Sequence, residues 1–352
     1  MKKLIFPILL CILLSGCYDS RETDDLSYVI AIGIDKGNEK NFSVTLQYAV
    51  PLNISPEGGD GSPFHTLTLE TDNIQSATLK ASSKISKTTD LSHLSLIVFS
   101  EETAKDGISG LKDDLSQSVK TVPDAYFAVC KGKAKDCLDA VSSPLELNPT
   151  KFYEAFFEDD VSSPYTVKQT ALEFFSGKTD FALPFLNYGK SLSTSGMAVF
   201  KNGKFISLFS LEETFIYNLL KNKFTDALIE TEKGIYKINS EIPPSFSVKI
   251  QKNPLIKIKL TLSGEAKTGE KEILSNEKSA TKDITSYLKS KILLLLEKTK
   301  KEDCDILSLS SHAKRKFLTE NDFSDYKWHE KYKDAQFEIN IKFKNSKNSH
   351  GG

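Results

Sequence analysis

Apolar and polar residues alternate along much of this chain. Phe42, Val44, Leu46, Tyr48 and Val50 take every second place, with Ser43, Thr45 and Gln47 between them, the period of a strand with one buried face. The apolar run Val29 to Ile34 precedes it across Gly37-Asn38, so the two form a β-hairpin. Pro51 to Pro63 is rich in Gly, Pro, Asp and Ser and reads as an exposed loop. A strand over Thr66 to Glu70 follows. The spacing of Ile74, Ala77, Ala81 and Ile85 then predicts a helix, capped by Asp72. Next come a strand at Leu94 to Phe99 and a helix from Glu101 to Val119 with Ile108, Leu111 and Leu115 inward. A strand at Ala125 to Cys130 and a short helix at Ala134 to Ala140 complete this part.

Seven phenylalanines (Phe152, Phe156, Phe157, Phe174, Phe175, Phe181 and Phe185) crowd the next segment, where short helices and Pro-marked turns are expected and the rings fill a small core. Tyr188 to Thr194 is polar enough for a domain boundary. Beyond it, Met197 to Phe200 and Phe205 to Leu208 flank Asn202-Gly203, a pair suited to the positive φ of a type I′ turn. Ser210 to Glu213 is a capping box opening a helix over Leu211 to Lys221. Strands are expected at Ala227 to Glu232, Ile235 to Ile238, Phe246 to Ile250 and Leu255 to Leu262. A long helix over Ala280 to Lys300 carries Ile284, Leu288, Ile292 and Leu295 on one stripe, and Phe337, Ile339, Ile341 and Phe343 alternate in a last strand. The C-terminal part reads as an antiparallel sheet with helices against it, and the fold class as α+β, multidomain, with mixed and antiparallel sheets.

The pattern at the N-terminus is of another kind. Lys2 and Lys3 precede an apolar stretch from Leu4 to Leu14, too short to span a bilayer, and Leu14-Ser15-Gly16-Cys17 closes it. A small-residue cut site followed by Cys is a lipoprotein box. Residues 1–16 are then a signal peptide, and the mature chain starts at a diacylglyceryl-Cys17 that holds it to a membrane outside the cytoplasm. Residues 17–27 form a polar tether. Asp19, Arg21 and Glu22 lie in it at headgroup level, and they are candidate contacts to a membrane partner.

Composition narrows the functional classes. Formal net charge is -1, or -3 once Lys2 and Lys3 leave with the signal, so nothing in the balance recommends nucleic acid as a partner. Arg21 and Arg315 are the two arginines among 46 basic residues. After lipidation three Cys remain (Cys130, Cys137 and Cys304), which cannot all pair, so the chain is no disulfide scaffold. A Cys130 to Cys137 bridge stays open, beside the favoured reading of small buried core residues. Five His residues stand singly, with no His-x-x-x-His, Cys-x-x-Cys, Gly-x-Ser-x-Gly or phosphate-cradling Gly-rich loop. No catalytic residue, cofactor or metal ligand is assigned, and the expectation is a protein that acts by contacts. The rival is a substrate-binding lipoprotein of an uptake transporter, which calls for two doubly wound lobes that these hairpins do not fit.

Several motifs in order resemble a known family. Cys17-Tyr18-Asp19-Ser20-Arg21-Glu22, then Leu26 and Ile30-Ala31-Ile32-Gly33-Ile34-Asp35-Lys36, look like the opening of the Ger(x)C spore germination lipoproteins. His93 to Glu102 with Ala104 and Gly107-Ile108 is similar to that family's His-led strand entering a helix, with His93 expected as a hydrogen-bonded structural residue. Leu183-Pro184, Gly196 to Lys201, Asp305-Ile306 and Trp328 continue the match. Departures are Tyr18 in place of Trp and Leu307-Ser308-Leu309-Ser310 in place of a Gly- and Phe-rich stretch. The resemblance implies a C subunit of a nutrient germinant receptor, lipid-anchored on the outer face of the spore inner membrane, assembled with A and B subunits, and no known enzyme. It implies three domains, placed here at 28–140, 141–194 and 195–345, with 346–352 a disordered tail.

Overall fold

The computed structural model describes residues 25–50, 62–118, 122–140, 149–158, 165–175, 180–189, 191–223 and 226–345. Two sheets and twelve helices are built from them. The first sheet opens with an antiparallel meander, β1 (Leu26–Lys36), β2 (Phe42–Ala49) and β3 (Phe64–Thr71), in the register Ile32↔Leu46↔Leu67. Helix α1 (Ile74–Ile85) buries Ile74, Ala77 and Ala81, as the stripe predicts. Its cap is Asn73, whose side chain accepts from Ser76 N at 2.8 Å. Asp72, expected in that role, sits one residue too early and pairs with Lys40 at 3.2 Å.

The chain then lays β4 (Thr88–Asp90) beside the start of β1 and places β5 (Leu96–Ser100) parallel to it. The helix expected over 101–119 is three pieces: α2 (Glu101–Asp106), a 3₁₀ turn at Ser109–Leu111, and α3 (Lys112–Ser118). Gly107 breaks it, at φ 116, a conformation open to glycine. Ile108, Leu111 and Leu115 are buried all the same. Strand β6 (Tyr126–Cys130) and helix α4 (Ala134–Asp139) come next. Then follow α5 (Pro149–Glu158), α6 (Ala171–Phe175) and β7 (Phe181–Asn187), and β7 runs parallel to β6. Parallel neighbours need a crossover, and the helices supply it.

Tyr188 to Thr194 joins β7 to an antiparallel neighbour, β8 (Ser193–Lys201), and β9 (Lys204–Phe209) follows through the Asn202-Gly203 turn at φ 50 and 74. The strand order is β3-β2-β1-β5-β6-β7-β8-β9, with β4 against β1. One sheet therefore runs from residue 26 to residue 209. Alternation sends Ile97, Phe99, Phe127 and Phe200 to one face and Leu96, Val98 and Ala128 to the other. The seven phenylalanines divide with it: Phe174, Phe175, Phe181 and Phe185 join the first face, while Phe152, Phe156 and Phe157 on α5 cover the second. They fill two cores, not one, because α5 and α6 lie on opposite sides of the sheet.

After α7 (Leu211–Lys221), with its Ser210 and Glu213 capping box, β10 (Asp226–Glu230), β11 (Gly234–Lys249), β12 (Leu255–Gly269) and β13 (Gln336–Asn345) form the second sheet in that order. The strands expected at 235–238 and 246–250 are two halves of β11, whose register shifts around Pro243-Pro244. Between β12 and β13 stand α8 (Lys271–Ser275), α9 (Glu277–Lys301), α10 (Leu309–Lys314), α11 (Glu320–Tyr326) and α12 (Trp328–Tyr332). That crossover brings β13 back parallel to β12, in the register Ile258↔Ile339, so the sheet is mixed where an antiparallel one was expected. The α9 stripe Ile284, Leu288, Ile292 and Leu295 is fully buried, each side chain contributing about 1.5–3 kcal/mol. Cys130, Cys137 and Cys304 are buried and unpaired.

The β8–β9 hairpin generates a test. A Cβ on Gly196, at φ 135, would lie 1.9 Å from Phe209 O, whereas one on Gly110 meets nothing within 4 Å. Gly196→Ala should destabilise the protein by about 2–4 kcal/mol and Gly110→Ala by less than about 0.5 kcal/mol, read from denaturant midpoints.

Candidate functional site: the tether end and the inter-sheet junction

Cys17, Asp19, Arg21 and Glu22 lie outside the described residues. What is described is where the tether enters the fold. Residue 26 begins β1, an inner strand of the first sheet, flanked by β2 on one side and by β4 and β5 on the other. Tyr48 and Thr89 hydroxyls bond at 3.1 Å across this end, and Ser95 N donates to Ile30 O at 2.9 Å. His93 is exposed, and its ring stands edge-on to Tyr28 at 4.6 Å. It precedes β5 by three residues and braces the first turns of β1 through that ring contact.

The motif Ile32-Gly33-Ile34-Asp35-Lys36 has a structural purpose. Gly33 lets α4 approach: a Cβ there would meet Ala134 and Leu138 at 3.2 Å. Asp35 then accepts from Ala134 N at 2.7 Å and Lys135 N at 3.0 Å, holding the start of α4. Burial raises its carboxyl above the ordinary value, against the two N–H bonds. Lys36 pairs with Asp106 at 2.8 Å. Beyond α4, Gln47 donates to Leu138 O at 2.9 Å and accepts from Tyr153 O–H at 2.8 Å. Asp35 and Gln47 carried no role in the sequence reading. Asp35 is marked by standing at the end of an apolar run, whereas the alternation that put Thr45 and Gln47 on an open face misleads, since α4 and α5 cover that face and both residues are buried.

The second site is where the two sheets meet. Ala182, Met197, Val199 and Phe209 share one core with Tyr236, Ile256, Leu288 and Leu295. Polar bonds ring that core. Asp305 N donates to Asp180 at 2.8 Å, and the Asp305 carboxylate accepts from Leu309 N at 2.7 Å and Ser310 N at 2.6 Å. Burial raises the Asp305 carboxyl. Asp303 is held below its ordinary value, because the Lys201 bond at 2.7 Å and Lys333 at 3.4 Å outweigh its burial. Cys304 Sγ donates to Phe200 O at 3.4 Å, and its burial pushes the thiol up. Lys298 bonds Glu213 at 2.8 Å and lies 3.9 Å over the Phe209 ring.

This is a joint. Its carboxylates are committed to backbone N–H groups and lysines, and among the described residues no group of His, Cys, Asp and Glu could hold a metal ion. No described helix is long and apolar enough to cross a membrane.

Two family descriptions match the chain in tandem: "Spore germination protein N-terminal domain" over residues 19–190, and "Spore germination B3/ GerAC like, C-terminal" over 195–347. The chain belongs to this GerAC-like family of spore germination proteins. It is similar to spore germination protein GerQC of Bacillus cereus, 22% identical over 96% of both chains. It is 31% identical to spore germination protein KC of Bacillus subtilis over 42% of this chain and 37% of that one. Against three Bacillus subtilis relatives the match spans 37% to 61% of their length. The crystal structure of the GerBC protein has the same fold, with a TM-score of 0.54 at 14% identity, over 90% of this chain and 96% of that one. The family is a germinant receptor C-like one, and it is no known enzyme family.

The boundary between the two family descriptions falls at residues 191–194, across the end of the β7–β8 turn and the first two residues of β8. The C-terminal unit of the family thus supplies two strands of the N-terminal sheet. Asp305-Ile306 and Trp328, noted for their resemblance, belong to this joint and its core, with Trp328 3% exposed.

Removing the Asp305 side chain strands two buried N–H groups. Asp305→Ala should cost about 2–4 kcal/mol. Lys201→Ala, at a partly exposed pair, should cost under about 1 kcal/mol. Urea unfolding measures both, and an Asp305→Ala loss as small as that of Lys201→Ala would show that the Asp305 bonds hold nothing together.

Proposed function

We propose that this chain is the lipid-anchored C subunit of a nutrient germinant receptor. It sits on the outer face of the spore inner membrane through diacylglyceryl-Cys17 and acts by assembly with membrane A and B subunits, with no cofactor and no turnover of its own. The observation that carries this reading is the tandem family match across residues 19–347 behind a lipoprotein box at Cys17. The fold is consistent with it. Eight residues lie between Cys17 and Leu26, about 30 Å of extended chain end to end, so the first sheet would stand close over the bilayer with an inner strand tied to the anchor. Asp19, Arg21 and Glu22 would then lie against headgroups or against loops of the A and B subunits. The transporter-lipoprotein alternative wants two doubly wound lobes around a cleft, whereas these sheets share one packed core.

Cys17→Ala should leave the precursor uncut or release it from the membrane fraction, and should slow germination. Normal processing and retention of that variant would sink the anchor. Recovery of A-type and B-type subunits from detergent-solubilised spore membranes with the wild-type chain tests the assembly. Within the tether, Arg21→Lys should restore less germination than wild type if the planar guanidinium is what binds. Equal rates for Arg21→Lys, Arg21→Ala and a scrambled tether would reduce residues 17–24 to a spacer.

A further inference from the structure

Charge is not spread evenly along this chain. Residues 17–190 hold 26 acidic and 16 basic side chains, net -10, whereas residues 191–352 hold 28 basic and 21 acidic, net +7. The second sheet sorts part of that excess onto one side. Its inner face carries Ile238, Val248, Ile256, Ile258, Leu260 and Leu262 into the core. Successive rows across the other face are Ser247, Lys257 and Glu338, then Ser245, Lys259 and Asn340, then Ile242, Thr261 and Lys342, then Asp226, Asn239, Ser263 and Lys344. Residues opposite one another across a ladder share a face, so these side chains stand together.

Some lysines of this face are paired within the fold and some are not: Lys237 bonds Asp226 at 2.8 Å. Lys257 is 2.5 Å from Glu338, whose carboxyl that bond, with help from Lys249 and Lys259, holds below its ordinary value. Lys259, Lys342 and Lys344 are exposed and make no ion pair among the described residues. Rows lie about 7 Å apart along a strand, close enough for like charges to repel through water. An anionic surface laid on the face would relieve that repulsion.

We propose that the outer face of the β10–β13 sheet docks a carboxylate-rich segment of another protein of the assembly. This rests on the assembly reading above. A polypeptide fits better than a bilayer for three reasons. Leu228 and Ile242 are the large apolar side chains exposed on this face, set apart on β10 and β11, so little area could enter the acyl boundary. Glu338 sits amid the lysines, where a fluid anionic surface would meet it at a cost. Ser245, Ser247, Thr261, Ser263, Asn239 and Asn340 offer hydrogen bonds at fixed positions, which a partner of fixed geometry can use.

The test places a photo-crosslinking residue at Asn340 of the full-length chain in spores, with a control at Leu318, which is fully exposed elsewhere. The expected result is a crosslink at Asn340, absent at Leu318, to an Asp- and Glu-rich peptide of a different chain. It should fall at least tenfold in Lys259→Glu/Lys342→Glu/Lys344→Glu and several-fold in the milder Lys→Gln triple, with unchanged unfolding midpoints. A crosslink to a second copy of this chain would overturn the proposal in favour of self-association. Vesicles with 30% phosphatidylglycerol that bind wild type but not the Glu triple would overturn it in favour of lipid. No crosslink, while A- and B-type subunits still co-purify, would overturn the surface and leave the assembly reading intact; loss of both subunits from wild-type preparations would strike that reading itself.

Discussion

The β7–β8 pairing is the constraint on which the rest depends. Seven paired positions, from Phe181↔Phe200 to Asn187↔Ser193, attach the C-terminal family unit to the sheet of the N-terminal one. Because β8 alternates, Ala198 and Phe200 enter the core under the first sheet while Met197 and Val199 enter the core shared with the second. One strand thus belongs to both hydrophobic interiors. Opening the joint would break ladder hydrogen bonds and expose two cores together, so separating the two sheets is costly.

That continuity bears on the proposed tether. A lipid anchor joined to an edge strand or a frayed terminus would pull on something soft. Here the chain enters at β1, whose first three residues pair with β4 and whose remainder pairs with β2 and β5, and the path from β1 through β5, β6 and β7 to β8 is continuous hydrogen-bonded sheet. Under the proposed lipid anchor, a displacement at the membrane would reach the second sheet along that hydrogen-bonded path. The exposed cationic face lies on the far unit of that path.

Local elements were legible because their signals are local. The Asn202-Gly203 turn and the Ser210 to Glu213 capping box follow from side chains within four residues of one another, as does the α9 stripe. What escaped depends on distance along the chain. Nothing near Phe337 shows that β13 will lie parallel to β12, since that is decided by an intervening crossover of 66 residues, 270–335. The two aromatic groups look like one in sequence and separate only when α5 and α6 take opposite faces. A net charge of -1 conceals two opposite halves, and an alternating strand such as Lys342-Phe343-Lys344 reveals a face only when β12 is set beside it. Cys17, Asp19, Arg21 and Glu22 rest on sequence, ahead of the first described residue.

Among the described residues, Asp35, Gln47, Asp180 and Asp305 spend buried polar atoms on holding the fold together. A catalytic carboxylate must be free to exchange a proton or hold a substrate, yet Asp35, Asp180 and Asp305 each accept a backbone N–H from an element distant in sequence or from the start of a helix. Gln47 is likewise spent on Leu138 and Tyr153. Each would leave a buried partner unsatisfied if it turned to other work. Polar groups so committed make connectors. What remains free to meet another molecule is on the outside, in side chains that the strands hold at fixed spacing.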